Sequence, residues 1–398
     1  MENEEVKYKV LARKYRSSNF DELIGQDVLV KTLTNAINTN RLAHAYIFTG
    51  IRGVGKTSTA RIFAKSLNCL GADGKATGPQ VKPCGVCENC RAIAEDRHID
   101  VIEMDAASNT GVDDIREIID GVQYKPSSAR YKVYIIDEVH MLSKNAFNAL
   151  LKTLEEPPPY VIFIFATTEI RKVPATVLSR CQRFDLRRVD IETLSNHFKH
   201  VCELENVKID DDSINIIAKT ADGSVRDGMS FLDQVISNCE GDITVDKVSK
   251  ILGLASKGIV FDLYDAIINA DIQKAVEIID NQYDLGVDPV LILTDLLEIT
   301  HYITRVKITP ASLSSIPVPP SEQEKISKMA HDLSIATLSR IWQMLLKGFD
   351  ELSLVPNVLS AVEMIIIRLS YVGMMPSPAE ILNKIENQTS TEVQKKNI

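Results

Sequence analysis

No stretch of this 398-residue chain approaches the roughly 18 consecutive apolar residues that a membrane-spanning helix needs, so none is expected. The first residues, from Met1 to Glu5, are acidic and carry no apolar core. They are therefore not expected to form a secretory signal, and the expected address is cytoplasmic. There is no surplus of positive charge either: 45 Lys and Arg stand against 54 Asp and Glu, a net −9. That excludes a protein that holds nucleic acid by bulk electrostatics. A paired-cysteine framework is also missing, because the seven cysteines are odd in number and uneven in spacing.

What charge there is lies unevenly. Residues 1–60 carry nine Lys or Arg and six Asp or Glu, while residues 261–300 carry one Lys and nine acidic residues. A nucleic-acid contact would belong to the N-terminal part, and ordinary solvated surface is the plainer reading of both regions; Lys144 and Arg116 are separate candidates for touching DNA. Four cysteines cluster at Cys69, Cys84, Cys87 and Cys90, the last three spaced C-x2-C-x2-C. Four thiolates suit tetrahedral Zn²⁺, and a set with no open position would be structural. A redox pair or unliganded thiols are the other readings of the same spacing.

The most specific signal is Gly50-Ile-Arg-Gly-Val-Gly-Lys-Thr57. It follows an apolar run, residues 45–49, and opens a helix-like run that starts at Ser58. Strand, glycine-rich loop and helix are the context a phosphate cradle requires. Gly50, Gly53 and Gly55 let the backbone turn its amides inward around Val54, at a helix N-terminus where the dipole favours an anion. Lys56 would reach the β- and γ-phosphates, and Thr57 would place its hydroxyl on Mg²⁺. A second run, Val133 to His140, ends in the adjacent carboxylates Asp137 and Glu138. Asp137 would hold the same metal. Glu138 suits a base that orients the attacking water. Together these residues predict binding of a nucleoside triphosphate with Mg²⁺, and its hydrolysis.

Apolar β-rich runs at 45–49, 100–105, 132–137, 161–166 and 182–186 alternate with helical patterns. That alternation predicts an α/β core with a parallel sheet. Helices alone are expected beyond about residue 190. Asp190 is a candidate N-cap, as is Asp212 or Ser213 for the next helix, and a third helix follows Gly223. Asp288 with Pro289 reads as another helix start, and Ser321 with Glu324 as a capping box. Ile299, Tyr302, Ile303 and Val306 make one apolar stripe; Leu359, Val362, Ile366 and Leu369 make a second. Two arginines stand out. Arg180 lies just before the last strand, and Arg226 lies at the start of the third helix after residue 190.

These pieces, with Asn148 to Pro157, Ala166 to Thr168, Ser179 to Cys181 and Gly223 to Asp227, resemble the AAA+ clamp-loader ATPases. The four-cysteine insert narrows the resemblance to the bacterial DNA polymerase III gamma/tau family, over about residues 8–372. The resemblance implies a RecA-like AAA+ core with the cysteine insert (1–186), an all-α lid (187–245), an all-α collar (246–373) and a frayed tail (374–398). It implies ATP, Mg²⁺ and Zn²⁺ as ligands, with Ser58 in the nucleotide cradle. Thr168 matches sensor 1, Arg226 matches sensor 2, and Arg180 matches a finger donated to a neighbouring subunit. The segment from Lys14 through Gln26 matches the lining of the adenine pocket. Implied partners are further copies of the chain in a pentameric ring, delta and delta-prime subunits, a sliding clamp and primed DNA. The polymerase core would be reached through a longer tau form. Ser17 stands where the family usually has proline, which implies a looser approach to the nucleotide. Gly228 stands where alanine is common, and is expected to weaken the start of its helix. The Cys69–Cys84 spacing is longer than expected. Another AAA+ motor acting on DNA is the alternative reading.

Overall fold

The computed structural model describes residues 10–374 apart from 109–110, 240, 253–254, 317, 319 and 353. The chain divides into two compact units at Thr244 and Val245.

In the first unit a short helix, α1 (Leu11–Lys14), precedes α2 (Asp27–Asn38), β1 (Ala45–Thr49), α3 (Lys56–Asn68), α4 (Glu88–Ala94) and β2 (Val101–Asp105). Then come α5 (Val112–Val122), β3 (Lys132–Asp137), α6 (Lys144–Glu155), β4 (Val161–Thr167), α7 (Ala175–Leu178) and β5 (Gln182–Asp185). The strands form one parallel sheet in the order β2-β3-β4-β1-β5. This is the arrangement of a RecA-like AAA+ core.

Alternation along each strand explains why both faces are covered. Tyr46, Phe48, Val133, Ile135, Ile162 and Ile164 point to one side, where α2, α3 and α4 bury Leu33, Phe63 and Ile93. Ala45, Ile47, Tyr134, Ile136, Phe163 and Phe165 point to the other, where α5 and α6 bury Ile115, Phe147 and Leu150. Strands apolar on both faces cannot sit at a wet surface, so helices must cover both sides. β2 begins at Val101, one residue later than the apolar run suggested, although Asp100 O still accepts from Val133 N of β3 at 2.8 Å; the Asp100 carboxylate serves a different turn. It accepts from the amides of Ser127, Ser128 and Ala129 at 2.9, 2.7 and 2.9 Å.

A helical part follows within the same unit: α8 (Ile191–Leu204), α9 (Asp211–Thr220) and α10 (Val225–Asn238). Asp190 caps α8, its carboxylate accepting from Thr193 N at 2.8 Å. The cap of α9 is Asp210, which accepts from Ser213 N at 2.6 Å, and not Asp212 or Ser213. Asp212 and Ser213 are already inside that helix, and Asp210 alone has the extended backbone an N-cap needs. Gly228 carries a packing constraint that helix propensity alone does not include. A Cβ there would stand 2.3 Å from Phe198 Cζ and 3.0 Å from Ala221 Cβ. The glycine is what lets α10 lie against α8, and alanine would not improve the helix.

The second unit is helical throughout its described residues: α11 (Val245–Ile251), α12 (Ala255–Ile268), α13 (Ile272–Asp284), α14 (Pro289–Ile308), α15 (Pro320–Asp332), α16 (Ile335–Leu352) and α17 (Val358–Met374). Asp288 caps α14 through Val290 N at 2.9 Å, with Pro289 in the first turn. Both apolar stripes enter its core, Leu359 at the margin. The expected capping box at Ser321 is not the start of α15, which is already running at Pro320. The tail expected from 374 lies, beyond that residue, outside the described residues. No helix among the described residues is long and apolar enough to cross a membrane.

Candidate functional site: a phosphate loop beside paired carboxylates

The registry of the sheet brings the candidate residues to one end. Thr49 lies opposite Thr167 and Asp185, and Asp105 opposite Asp137, all at strand C-terminal ends. In open parallel sheets that edge is where ligands bind. The loop after β1 turns through Gly53 (φ 76°) and Gly55 (φ 108°), both left-handed. α3 begins at Lys56, two residues earlier than the sequence pattern suggested, with Gly55 as its N-cap. Its first amides therefore face into the loop, a ready site for an anion. Val54 is buried beneath the loop, and Ser58 follows in the first turn of α3.

Lys56 is 5% exposed, and its Nζ donates to Gly50 O at 3.0 Å and Ile51 O at 2.9 Å. Burial lowers its pKa, while the charges of Glu138 and Asp137 push the other way. A buried cation lying against its own loop carbonyls is poised for a stronger anionic partner. Thr57 Oγ1 donates to Asp137 Oδ2 at 2.6 Å. That hydroxyl and carboxylate are hard oxygen donors in contact, as Mg²⁺ coordination requires. The residues present fit the metal.

Glu138 sits on left-handed backbone (φ 45°), uncommon for a residue with a side chain. Its amide bonds Asp137 Oδ1 at 2.9 Å. Its carboxylate Oε2 accepts from Thr168 N at 3.2 Å and Thr168 Oγ1 at 3.0 Å. Thr168 is thus brought onto the second carboxylate. His140, which motif spacing had not singled out and whose side chain is largely covered, also reaches this group, with Thr167 behind it.

The helical part touches the loop directly. Arg226 N donates to Gly53 O at 3.1 Å. Ser224 caps α10, accepting from Asp227 N at 3.2 Å, and its Oγ would lie 2.0 Å from a Cβ at Gly53. The Arg226 side chain is exposed. Gln26 ties the core to the start of this part, donating to Arg187 O at 2.8 Å and accepting from Arg187 N at 3.1 Å. Lys14 and Tyr15 both reach Glu205 at the end of α8, each at 2.6 Å. Ser17 bonds Glu22 O at 3.1 Å, so the segment is held without proline.

Arg180 is not brought into the cluster. Its guanidinium donates to Glu155 Oε1 at 2.5 Å, Thr176 O at 2.7 Å and Ser179 Oγ at 3.1 Å. None of these is a phosphate-loop residue.

Away from the loop, the Sγ atoms of Cys69, Cys84, Cys87 and Cys90 lie within 4.8 Å of one another. Amides turn toward the sulfurs: Gly71 N and Cys84 N donate to Cys69 at 3.3 and 3.2 Å, and Cys87 N to Cys84 at 3.3 Å. Burial alone would raise the Cys84 thiol, but the Cys87 and Val86 amides outweigh it and bring it down to about 7. Burial pushes Cys69 and Cys90 up. Four soft donors packed this closely fit a tetrahedral metal. The long insert is tied down by Arg130, which donates to Cys69 O at 2.8 Å and also to Ala76 O.

A glycine-rich loop after β1, paired carboxylates ending β3, a threonine ending β4 and a helical part on the loop together define the architecture of a AAA+ core. Three family models match: "DNA polymerase III, delta subunit" over residues 25–190, "DNA polymerase III clamp loader subunit, ATPase lid domain" over 193–241, and "DNA polymerase III subunits gamma and tau domain III" over 243–385. DNA polymerase III subunit tau of Salmonella typhimurium is 40% identical over 93% of this chain and 57% of its own length. DNA polymerase III subunit gamma of Buchnera aphidicola (subsp. Schizaphis graminum) is 38% identical over 91% of this chain and 98% of its own length. The chain belongs to the DNA polymerase III gamma/tau family. It spans little more than half the length of the tau relatives it matches. Among solved structures, Thermotoga maritima RuvB covers 69% of this chain and 86% of its own at 20% identity and a TM-score of 0.45.

Proposed function

We propose that the chain is an ATPase subunit of a clamp loader, which uses ATP to open a sliding clamp and place it on primed DNA during chromosome replication. The observation that supports this most is the contact of Thr57 with Asp137 beside the buried Lys56, within a chain of the gamma/tau family. Lys56 binds the β- and γ-phosphates, and the amides of residues 53–58 cradle them. Thr57 and Asp137 hold Mg²⁺, which when bound offsets charge on the phosphates. Glu138 orients water for attack, with Thr168 bonded to its carboxylate as sensor 1. Arg226 reads the γ-phosphate from the lid.

Arg180 acts on a neighbouring subunit's nucleotide, so hydrolysis requires assembly. The core spans 1–186, the lid 187–245 and the collar 246–373. The collar holds a pentameric ring with delta and delta-prime, and a longer tau form reaches the polymerase core. The site of action is the cytoplasm. Cys69, Cys84, Cys87 and Cys90 hold a structural Zn²⁺; elemental analysis that finds no zinc in the purified chain would remove that part.

ATP turnover with the partner subunits, compared without DNA, with primed DNA, and with primed DNA plus clamp, tests the whole reading. Turnover should rise with clamp and DNA. In Arg180→Ala it should fall by roughly 10³-fold or more while ATP still binds. Turnover indifferent to the clamp and to Arg180 points instead to a AAA+ motor of another kind.

A further inference from the structure

His140 is packed into the wall of the site with its side chain 6% exposed. It belongs to the 3₁₀ turn Val139–Met141 that follows Glu138. Its Nδ1 lies 2.9 Å from Thr167 Oγ1 and 3.4 Å from Glu138 Oε2. Nε2 lies 3.5 Å from Glu169 Oε1, and both carboxylate contacts are longer than an ordinary hydrogen bond, so they act as electrostatic contacts. Glu169 is occupied instead by Lys172, at 2.8 Å. Thr167 Oγ1 already accepts from Glu169 N at 3.0 Å. One edge of the imidazole therefore faces two oxygens, a hydroxyl that is already accepting and a carboxylate.

Thr167 Oγ1 can donate to Nδ1 or accept from it, so the carboxylate decides the tautomer: an acceptor at Nδ1 would set a lone pair against Glu138, whereas a donor there suits both oxygens. Among the described residues, the Glu138 carboxylate meets the two Thr168 donors and this ring edge. Thr168 follows the last residue of β4, and Thr167 is that last residue. The imidazole thus joins the end of β3 to the end of β4 behind the carboxylate.

We infer that His140 is a positioning residue for Glu138: its Nδ1–H, bonded to Thr167 Oγ1 and standing 3.4 Å from Glu138 Oε2, holds the carboxylate by electrostatic contact in the orientation from which it directs water. This rests on Glu138 being the residue that orients water. The role is carried by one ring nitrogen, and that makes it separable from simple packing. Asparagine places an amide N–H where Nδ1 stands. Glutamine places it near Nε2 and leaves the Nδ1 position empty.

The test compares ATP turnover by the assembled complex containing wild type, His140→Asn, His140→Gln or Glu138→Gln, with ATP affinity measured beside it. Absence of turnover in wild type would count against the proposed function itself. Given wild-type turnover that Glu138→Gln abolishes, His140→Asn should stay near the wild-type rate. His140→Gln should lose roughly 100-fold in kcat at unchanged ATP affinity, the scale expected of a reacting group displaced by about 1 Å. Equal loss in both variants, or no loss in either, overturns the inference. A second readout needs no His140 variant: ¹⁵N-histidine NMR of the full chain. A pyrrole-type Nδ1 that shifts in Glu138→Gln supports the contact; a pyridine-type Nδ1, or one indifferent to Glu138→Gln, overturns it.

Discussion

At Gly53 two requirements meet in one residue. The backbone there is left-handed (φ 76°), which costs a residue with a side chain roughly 1–2 kcal/mol. The space a Cβ would fill is also taken by Ser224 of the lid. Gly53→Ala should therefore both strain the phosphate loop and push the α10 N-terminus away. ATP affinity is expected to fall about 10-fold or more, with helix content retained, as read by nucleotide titration and far-UV circular dichroism. An alanine variant that binds ATP as wild type does would show that the lid contact is dispensable. The motif alone marked Gly53 for its turn. Its second role was not legible there, because Ser224 is far away in the sequence. That Lys56, Thr57, Asp137 and Glu138 would lie together was legible, since a phosphate loop and its paired carboxylates constrain residue type and local spacing.

Among the elements, the strands were read nearly to the residue, because runs apolar on both faces have few alternatives to a covered parallel sheet. Helix starts were read less well. α9 is capped by Asp210, where the sequence offered Asp212 or Ser213, and the extended backbone at Asp210 decides the cap. Asp100 shows what the strand pattern alone misses. The residue reads as the first of β2, yet its carboxylate caps the turn at 127–129 that leads into β3. Burial alone would raise its pKa, but the amides of Ser127, Ser128 and Ala129 outweigh burial and hold it below the ordinary aspartate range. A depressed carboxyl stabilises the fold above the unfolded pKa, about 3.9, and that contribution is lost as pH falls through the folded value. Asp100→Asn should cost about 1–3 kcal/mol at pH 7. The gap from wild type should narrow as pH drops below about 4. Urea unfolding across pH checks this, and a gap that stays constant into acid would contradict the assignment.

For the molecule as a whole, the two compact units have separate apolar cores. The phosphate loop, the carboxylates and the lid contacts all lie in the first. A ligand that binds only one unit stabilises only that unit. Calorimetry should thus resolve two transitions, and ATP with Mg²⁺ at 100 times Kd should stabilise the first by about 2.7 kcal/mol and leave the second in place. A single transition that moves as one would show that the cores unfold together.

The sequence by itself determined the class of the scaffold, and it marked the residues on which the proposed chemistry rests. A phosphate cradle needs glycine turns, a lysine and a hydroxyl within eight residues, and a parallel sheet needs strands apolar on both faces. Both demands are local and periodic, so they are written along the chain. Tertiary structure alone decided which polar groups meet. His140 lies against Glu138 and Thr167, Ser224 against Gly53, Arg180 on Glu155, and Phe198 where a side chain at 228 would stand. The physical reason is distance. Except within the turn that holds Glu138 and His140, these partners come from different elements, and only packing of the sheet, its helices and the lid brings them within hydrogen-bond or van der Waals reach.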